Sequence, residues 1–254
     1  MADEDPNTKS INIDGLDTST VHHLIQAAYK AGYDQINIAF KDKNLIDFKT
    51  GEIETVYDTV DSTIGRLFGM HISFESESSI LLEYKQAGNF SDVQRVLDDI
   101  FSTLVLLSEN VFIKSKEDKS ILEKTKEKHD LITKHVSFCM RLMNKNKGVN
   151  TSLYHILPTI DKITDLIKYV SEFVKDIDSE EIYKVAGDVH SGVLLFRDYF
   201  KSNDNSKMVS FGKIRRDIKK EICSFKGQYS NGLLGNLEAI LDILLDLFES
   251  VNIF

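Results

Sequence analysis

The chain has 254 residues, 42% hydrophobic and 28% charged, with a formal net charge of -9 and a pI near 5.3. That is enough apolar material for a packed core and excludes a disordered polymer; the length fits one domain or two. The acidic balance opposes direct DNA or RNA binding, which needs a basic footprint to displace counterions from phosphates.

The N-terminal MADEDPNTK is acidic and polar, unlike a signal or transit peptide. Ile11 to Ile13 reads as a short strand, followed by a helix from about Thr18 to Ala31 that Gly32 stops. Gln35 to Phe40 alternates Ile36, Ile38 and Phe40 and predicts a strand. Between Glu52 and Phe68, Val56, Val60, Ile64 and Leu67 recur at helical spacing. Met70 to Phe74 and Ile80 to Tyr84, around a turn-like Ser76 to Ser79, predict a hairpin. The expected order is β-α-β-α-β-β, a small α/β module over residues 1–88 with a mixed or antiparallel sheet.

From 89 to 254 the pattern is helical. Ser91 with Gln94 reads as a capping box, ahead of a stripe of Val93, Val96, Leu97, Ile100, Phe101, Leu104, Leu107 and Val111. A second helix is expected from about Glu117 to Asn146, with Leu122, Thr125, His129, Ile132, Val136, Cys139 and Met143 on one stripe. A third carries Ile156, Ile160, Ile163, Ile167, Val170 and Val174, with Pro158 starting or kinking it. Asp178 with Glu181 reads as a capping box for a fourth helix through Val185, Val189, Val193, Phe196 and Phe200. A loop at Ser202 to Ser206 precedes a fifth helix over Met208 to Phe225, and a sixth covers about Leu233 to Val251. Glu238, Asp242, Asp246 and Glu249 share one face of the sixth, so it is amphipathic, and no apolar run is long enough to span a bilayer. The fold class is mainly α: a small α/β module, then an antiparallel bundle of two three-helix units joined by short loops.

The two cysteines, Cys139 and Cys223, form no metal-type spacing and no disulfide framework; each falls on or beside an apolar stripe, which suits a reducing, cytoplasmic setting. There is no Gly-x-Ser-x-Gly, Walker loop or His-Glu-x-x-His, so nothing nominates an enzyme. His129, on an apolar stripe, reads as a buried, hydrogen-bonded histidine ahead of a metal ligand. Lys213, Arg215, Arg216, Lys219 and Lys220 form a local basic run, read first as the solvated face of a helix. On the third helix Asp161 and Asp165 lie one turn apart, nearly opposite the isoleucine stripe; Glu172 and Asp176 continue that face, with Lys168 beside it. Glu123, Glu127 and Asp130 cluster away from the stripe of the second helix. Carboxylates so spaced repel each other, and a hard cation held between helices would reverse the sign; a solvated charged face is the simpler reading.

The run Ile160-Asp161-Lys162-Ile163-Thr164-Asp165 resembles the second signature of the PhoU family of phosphate regulators, Leu-Glu-Arg-Ile-x-Asp. Glu127 to Met143 looks like that family's first acidic helix. The stretches Ala31 to Ile38 and Leu67 to Ile72 are similar to the α/β segment of archaeal members. The resemblance runs from about Ala31 to the C-terminus. It implies two three-helix bundles whose surface acid motifs hold a divalent metal or iron, with Asp161 and Asp165 carried over directly. Thr133 stands where the first motif has an acid, which leaves Glu123, Glu127 and Asp130 as substitutes. It also implies a cytoplasmic, dimeric, non-enzymatic regulator of phosphate uptake, with phosphate ABC transporter components and a sensor kinase as partners. There is no room before Ile11 for the AbrB-like DNA-binding region of archaeal relatives. The alternative is a metal-free homodimeric helical scaffold for a different transporter or kinase.

Overall fold

A computed structural model of the chain describes residues 7–85, 93–145, 152–225 and 227–251. Two units form: Met1–Leu97 with Thr133–Val149, and Asp98–Ile132 with Asn150–Phe254. The expected boundary between 88 and 89, and the Ser91 half of the expected capping box, lie outside the described residues.

The first unit is an α/β layer. Its strands are β1 (Thr8–Asn12), β2 (Gln35–Ala39), β5 (Met70–Glu75) and β6 (Ser79–Tyr84), in the spatial order β1-β2-β6-β5. β1 and β2 are parallel, as a crossover through α1 (Thr18–Ala31) requires, while β6 pairs antiparallel with both β2 and β5. The sheet is therefore mixed. One face buries Ile36, Ile38, Ile80 and Leu82 beside Val21, Ile25 and Tyr29 of α1 and Val60 of α2 (Val56–Ile64). Asp17 caps the start of α1 by accepting from the Thr20 N–H. At its end Gly32 adopts φ 97°, a left-handed turn open to glycine at little cost, and its N–H returns to Ala28 and Tyr29.

The sequence pattern missed a second, two-stranded sheet, β3 (Asn44–Ile46) with β4 (Ile53–Thr55). Its turn is organised by Asp47, whose carboxylate accepts from the N–H groups of Lys49 and Thr50. Helix α2 therefore begins later than expected, where the Thr55 hydroxyl accepts from the Asp58 N–H.

Arg141, on α4 (Thr125–Lys145), is 1% exposed. Its guanidinium donates to the carbonyls of Tyr29 (3.1 Å) and Tyr33 (2.7 Å), pairs with Asp34, and lies 4.0 Å from the centroid of the Tyr84 ring. Asn144 Nδ2 donates to Lys30 O (2.7 Å), and Lys145 Nζ pairs with Asp34 Oδ2 (2.7 Å). Side chains of α4 thus add donors to carbonyls at and just beyond the end of α1, where the intrahelical ladder runs out.

The second unit is helical. It holds the C-terminal part of α3 (Val93–Phe112), the N-terminal part of α4, α5 (Leu153–Val174), α6 (Glu180–Ser202), α7 (Asn205–Ser224) and α8 (Asn231–Val251). Short links join the last four; α6 packs on α7 and α8, and α5 on α8. The predicted stripe of α5 is fully buried from Ile156 to Val174. Pro158 sits inside α5, in its second turn. The core is aromatic: Phe196 meets Phe248 at 5.4 Å, and Phe211 stacks on Phe248 at 4.7 Å. Over the described residues the chain is thus an α/β region with a mixed four-stranded sheet followed by a six-helix region. Among those residues no helix is long and apolar enough to cross a membrane.

Two local expectations shift. The second predicted helix, expected from about Glu117, opens as a 3-10 turn, Lys119–Lys124, because the Asp118 carboxylate takes the Ser120 N–H and sets a turn; another 3-10 turn, Lys114–Lys116, precedes it. The cap of α6 is Ser179 and not Asp178: the serine hydroxyl accepts from the Ile182 N–H.

Candidate functional site

The predicted carboxylates fall on α4 and α5 of the helical unit. His129 of α4 is buried, and its ring is held from both sides. Nε2 lies 2.9 Å from Asp165 Oδ1 on α5, and Nδ1 lies 3.1 Å from Asp130 Oδ1. A neutral imidazole donates to one of these carboxylates, and a protonated one to both. Lys168, one turn beyond Asp165, approaches the same Oδ1 at 3.3 Å. The buried histidine expected from the stripe is thus observed, and it joins Asp130 to Asp165.

The other acids stand apart from this cluster in role. Asp161 is half-buried on the same face of α5, its neighbour Lys162 exposed. Glu127 is exposed in the first turn of α4. Glu123 is exposed on the preceding 3-10 turn, so the expected helical spacing between Glu123 and Glu127 crosses a change of helix type. These donors do not fit a resident divalent ion or iron. Asp165 Oδ1 already faces an imidazole and an ammonium, and the ammonium repels an added cation. Among the described residues no group of three or more His, Cys, Asp or Glu is placed to hold one.

A buried Ser–His pair also lies in this unit. His190 Nδ1 is 2.9 Å from Ser108 Oγ, and both residues are buried. Ser108 Oγ donates to the Val105 carbonyl (2.9 Å), which leaves the ring nitrogen to donate. A general base needs the reverse polarity. Burial holds the His190 pKa below its ordinary value.

The basic run on α7 is largely neutralised. Arg215 Nη2 lies 2.5 Å from Asp242 of α8, Lys219 lies 2.7 Å from the same carboxylate, and Arg216 pairs with Asp217. Burial alone would raise the Asp242 pKa, but hydrogen bonds from Lys219 and Arg215 outweigh it and hold the carboxyl below its usual range.

In the α/β unit a cavity of about 360 Å³ opens beyond the carboxyl ends of β1 and β2, lined by Ile13, Asp14, Leu16, Lys41, Leu45 and Phe48. Open α/β sheets place ligands at such ends. Asp14 is fixed there by the Lys41 N–H (2.7 Å), which with the nearby Lys41 ammonium keeps its carboxyl below the usual range. Phe48, 72% exposed, stands at the rim with Ile46. The unread β3–β4 hairpin hid this cleft from the sequence; the Asp14-Gly15 step after a strand was its one visible signal. No protein family, characterised protein or solved structure compared with this chain matches it.

Proposed function

We propose that the chain is a non-enzymatic regulator of phosphate homeostasis that acts through protein contacts. One observation carries the reading. The PhoU-like run from Ile160 to Asp165 lies on an amphipathic helix that buries Ile160, Ile163 and Ile167 and leaves Lys162 exposed beside two partly accessible aspartates. Such a face suits a protein partner: it carries charge at the surface on a rigid backbone. The clients implied by the resemblance are phosphate ABC transporter components and a sensor kinase. The acids serve as contacts and not as general acids or bases.

Deleting the gene in its source cell and following phosphate uptake under phosphate excess tests this. Derepressed uptake is expected, restored by the wild-type chain and not by an Asp161→Lys/Lys162→Glu variant. Unchanged uptake on deletion refutes the reading. The second reading is a metal-free homodimeric scaffold for another transporter or kinase. The engagement of Asp165 by His129 and Lys168 favours it over a metal-loaded regulator. Co-purification from source cells separates the two by the identity of the client.

A further inference from the structure

The cleft beyond the carboxyl ends of β1 and β2 plays no part in a function carried on α5. Its walls are fixed by backbone hydrogen bonds. Ile13 N donates to Ala39 O (3.0 Å) and Leu16 N to Ile13 O (3.1 Å), which holds the turn leaving β1. Asp47 N donates to Glu52 O (2.9 Å) and Gly51 N to Asp47 O (2.7 Å), which closes the β3–β4 hairpin that supplies the other wall. A site with walls already set loses little to ordering when a ligand enters. Its volume of about 360 Å³ falls within the range of small-molecule sites.

The lining has an apolar and a charged part. Ile13, Leu16, Leu45 and Phe48 form the apolar part. Ile13 and Leu45 are buried, whereas Phe48 is the most exposed large hydrophobic side chain among the described residues. Its ring offers a face to a flat apolar group or to a cation. The charged part holds two carboxylates, Asp14 and Asp42, and one ammonium, Lys41, an excess of one negative charge. The backbone orients both carboxylates and occupies one oxygen of each: Asp14 Oδ1 accepts from the Lys41 N–H (2.7 Å) and Asp42 Oδ1 from the Asn44 N–H (2.9 Å). The cation at Asp14 Oδ2 is the Lys41 ammonium, 3.3 Å away on a side chain that is 90% exposed. An ion pair held in water is weak and exchanges readily.

We propose that this cleft binds a small primary amine with an aromatic body, the ligand's ammonium replacing that of Lys41 at Asp14. The ligand's ammonium pairs with Asp14 Oδ2, and its body lies along Leu16, Leu45 and Phe48. The excess negative charge of the lining sets the sign of the ligand. An acid of the same shape would meet two carboxylates with one ammonium in answer. Lys41 is then an internal competitor for the site and not a contact to the ligand.

This goes beyond the regulator reading and does not rest on it: uptake in the source cell tests the one, and binding by the purified chain tests the other. Phenethylamine, an aromatic primary amine, is titrated into the full chain and followed by the amide NMR signals of Asp14, Gly15, Lys41 and Asn44. Saturable shifts are expected, with a dissociation constant of about 1 mM or tighter. Phenylacetate, which carries a carboxylate on the same ring, should bind about tenfold more weakly or not at all. Asp14→Asn keeps the acceptor for the Lys41 N–H and removes the charge, so affinity for the amine falls about tenfold. Phe48→Ala, at an exposed position, weakens binding by about threefold. Lys41→Met removes the competitor and tightens binding by about threefold, a rise that a purely apolar cleft would not show. Circular dichroism checks that each variant folds; if Asp14→Asn does not, Lys41→Met and Phe48→Ala decide. No saturable shift up to about 10 mM amine, phenylacetate binding as tightly as the amine, or an unchanged affinity in Lys41→Met overturns the proposal.

Discussion

Replacing Arg141 with methionine should destabilise the α/β unit more than any surface change. Methionine matches much of the stem and keeps the apolar packing, but it loses every polar contact of the guanidinium. The part-buried Tyr33 carbonyl loses its donor, while the Tyr29 carbonyl loses one of two and keeps the Gly32 N–H (3.0 Å). Each unpaired buried group costs roughly 1–3 kcal/mol. Asp34 loses one of its two cations and keeps Lys145, so its share is small, on the order of 1 kcal/mol. The contact with the Tyr84 ring at 4.0 Å adds about 1–2 kcal/mol because it is desolvated. The sum is about 3–6 kcal/mol, against about 5–15 kcal/mol for a whole domain. Arg141→Lys should recover only part of this, since an ammonium cannot span both carbonyls and the carboxylate in one plane. Urea denaturation followed by circular dichroism gives the total, and hydrogen exchange at the end of α1 gives the location. A loss below about 1 kcal/mol, or exchange that rises in α6–α8 and not in α1, would refute the reasoning.

Other outcomes follow from the same physics. Lys119 Nζ donates to the carbonyls of Val174 (2.5 Å) and Ile177 (2.8 Å) and to the Tyr183 hydroxyl, closing the end of α5. Lys119→Met should cost about 2 kcal/mol and speed exchange in the last turn of α5, and unchanged exchange there would contradict the cap. His190 and His22 are both held below the ordinary histidine value of 6.5, burial being the leading cause. The unfolded chain therefore binds protons that these folded rings refuse, and stability falls as pH drops below about 6.5, by at most about 1.4 kcal/mol per pH unit for each ring. His190→Gln should flatten the slope between pH 7 and 5; an identical slope would remove His190 as its source. Burial pushes the Cys139 thiol up to about 12, while Cys223 is exposed. A thiol reagent should label one cysteine in the native chain and the second only after unfolding, and equal rates would show that Cys139 is accessible.

Where burial sets the pattern, the residues told the fold in advance. The stripe from Leu122, on the 3-10 turn, to Met143 of α4 is buried throughout, polar Thr125 and His129 included, because spacing along the helix decides which side chains turn inward. α1 and the β5–β6 hairpin were legible for the same reason, with Gly32 and the serine turn as punctuation. The β3–β4 hairpin was not: strands of three residues carry too few alternations to compete with the helical spacing of Val56, Val60 and Ile64. Asp161, Asp165 and Asp130 could be placed on outer faces, but periodicity says nothing about which neighbour answers a charge. It therefore gave no sign that His129 and Lys168 would meet Asp165. Arg141 was hidden more deeply still. A cation within Phe138-Cys139-Met140-Arg141-Leu142 reads as the wet side of a helix, and only the approach of distant carbonyls turns it inward.

The carbonyls of Tyr29 and Tyr33 are met by a side chain 112 and 108 residues further along the chain. As the nascent protein leaves the ribosome, α1 emerges early with only the Gly32 turn to close its end, and the side chains that complete it are translated last among the parts of its unit. The α/β layer therefore matures only after α4 has been delivered, and in the interval its helix end is the part most open to chaperones and proteases.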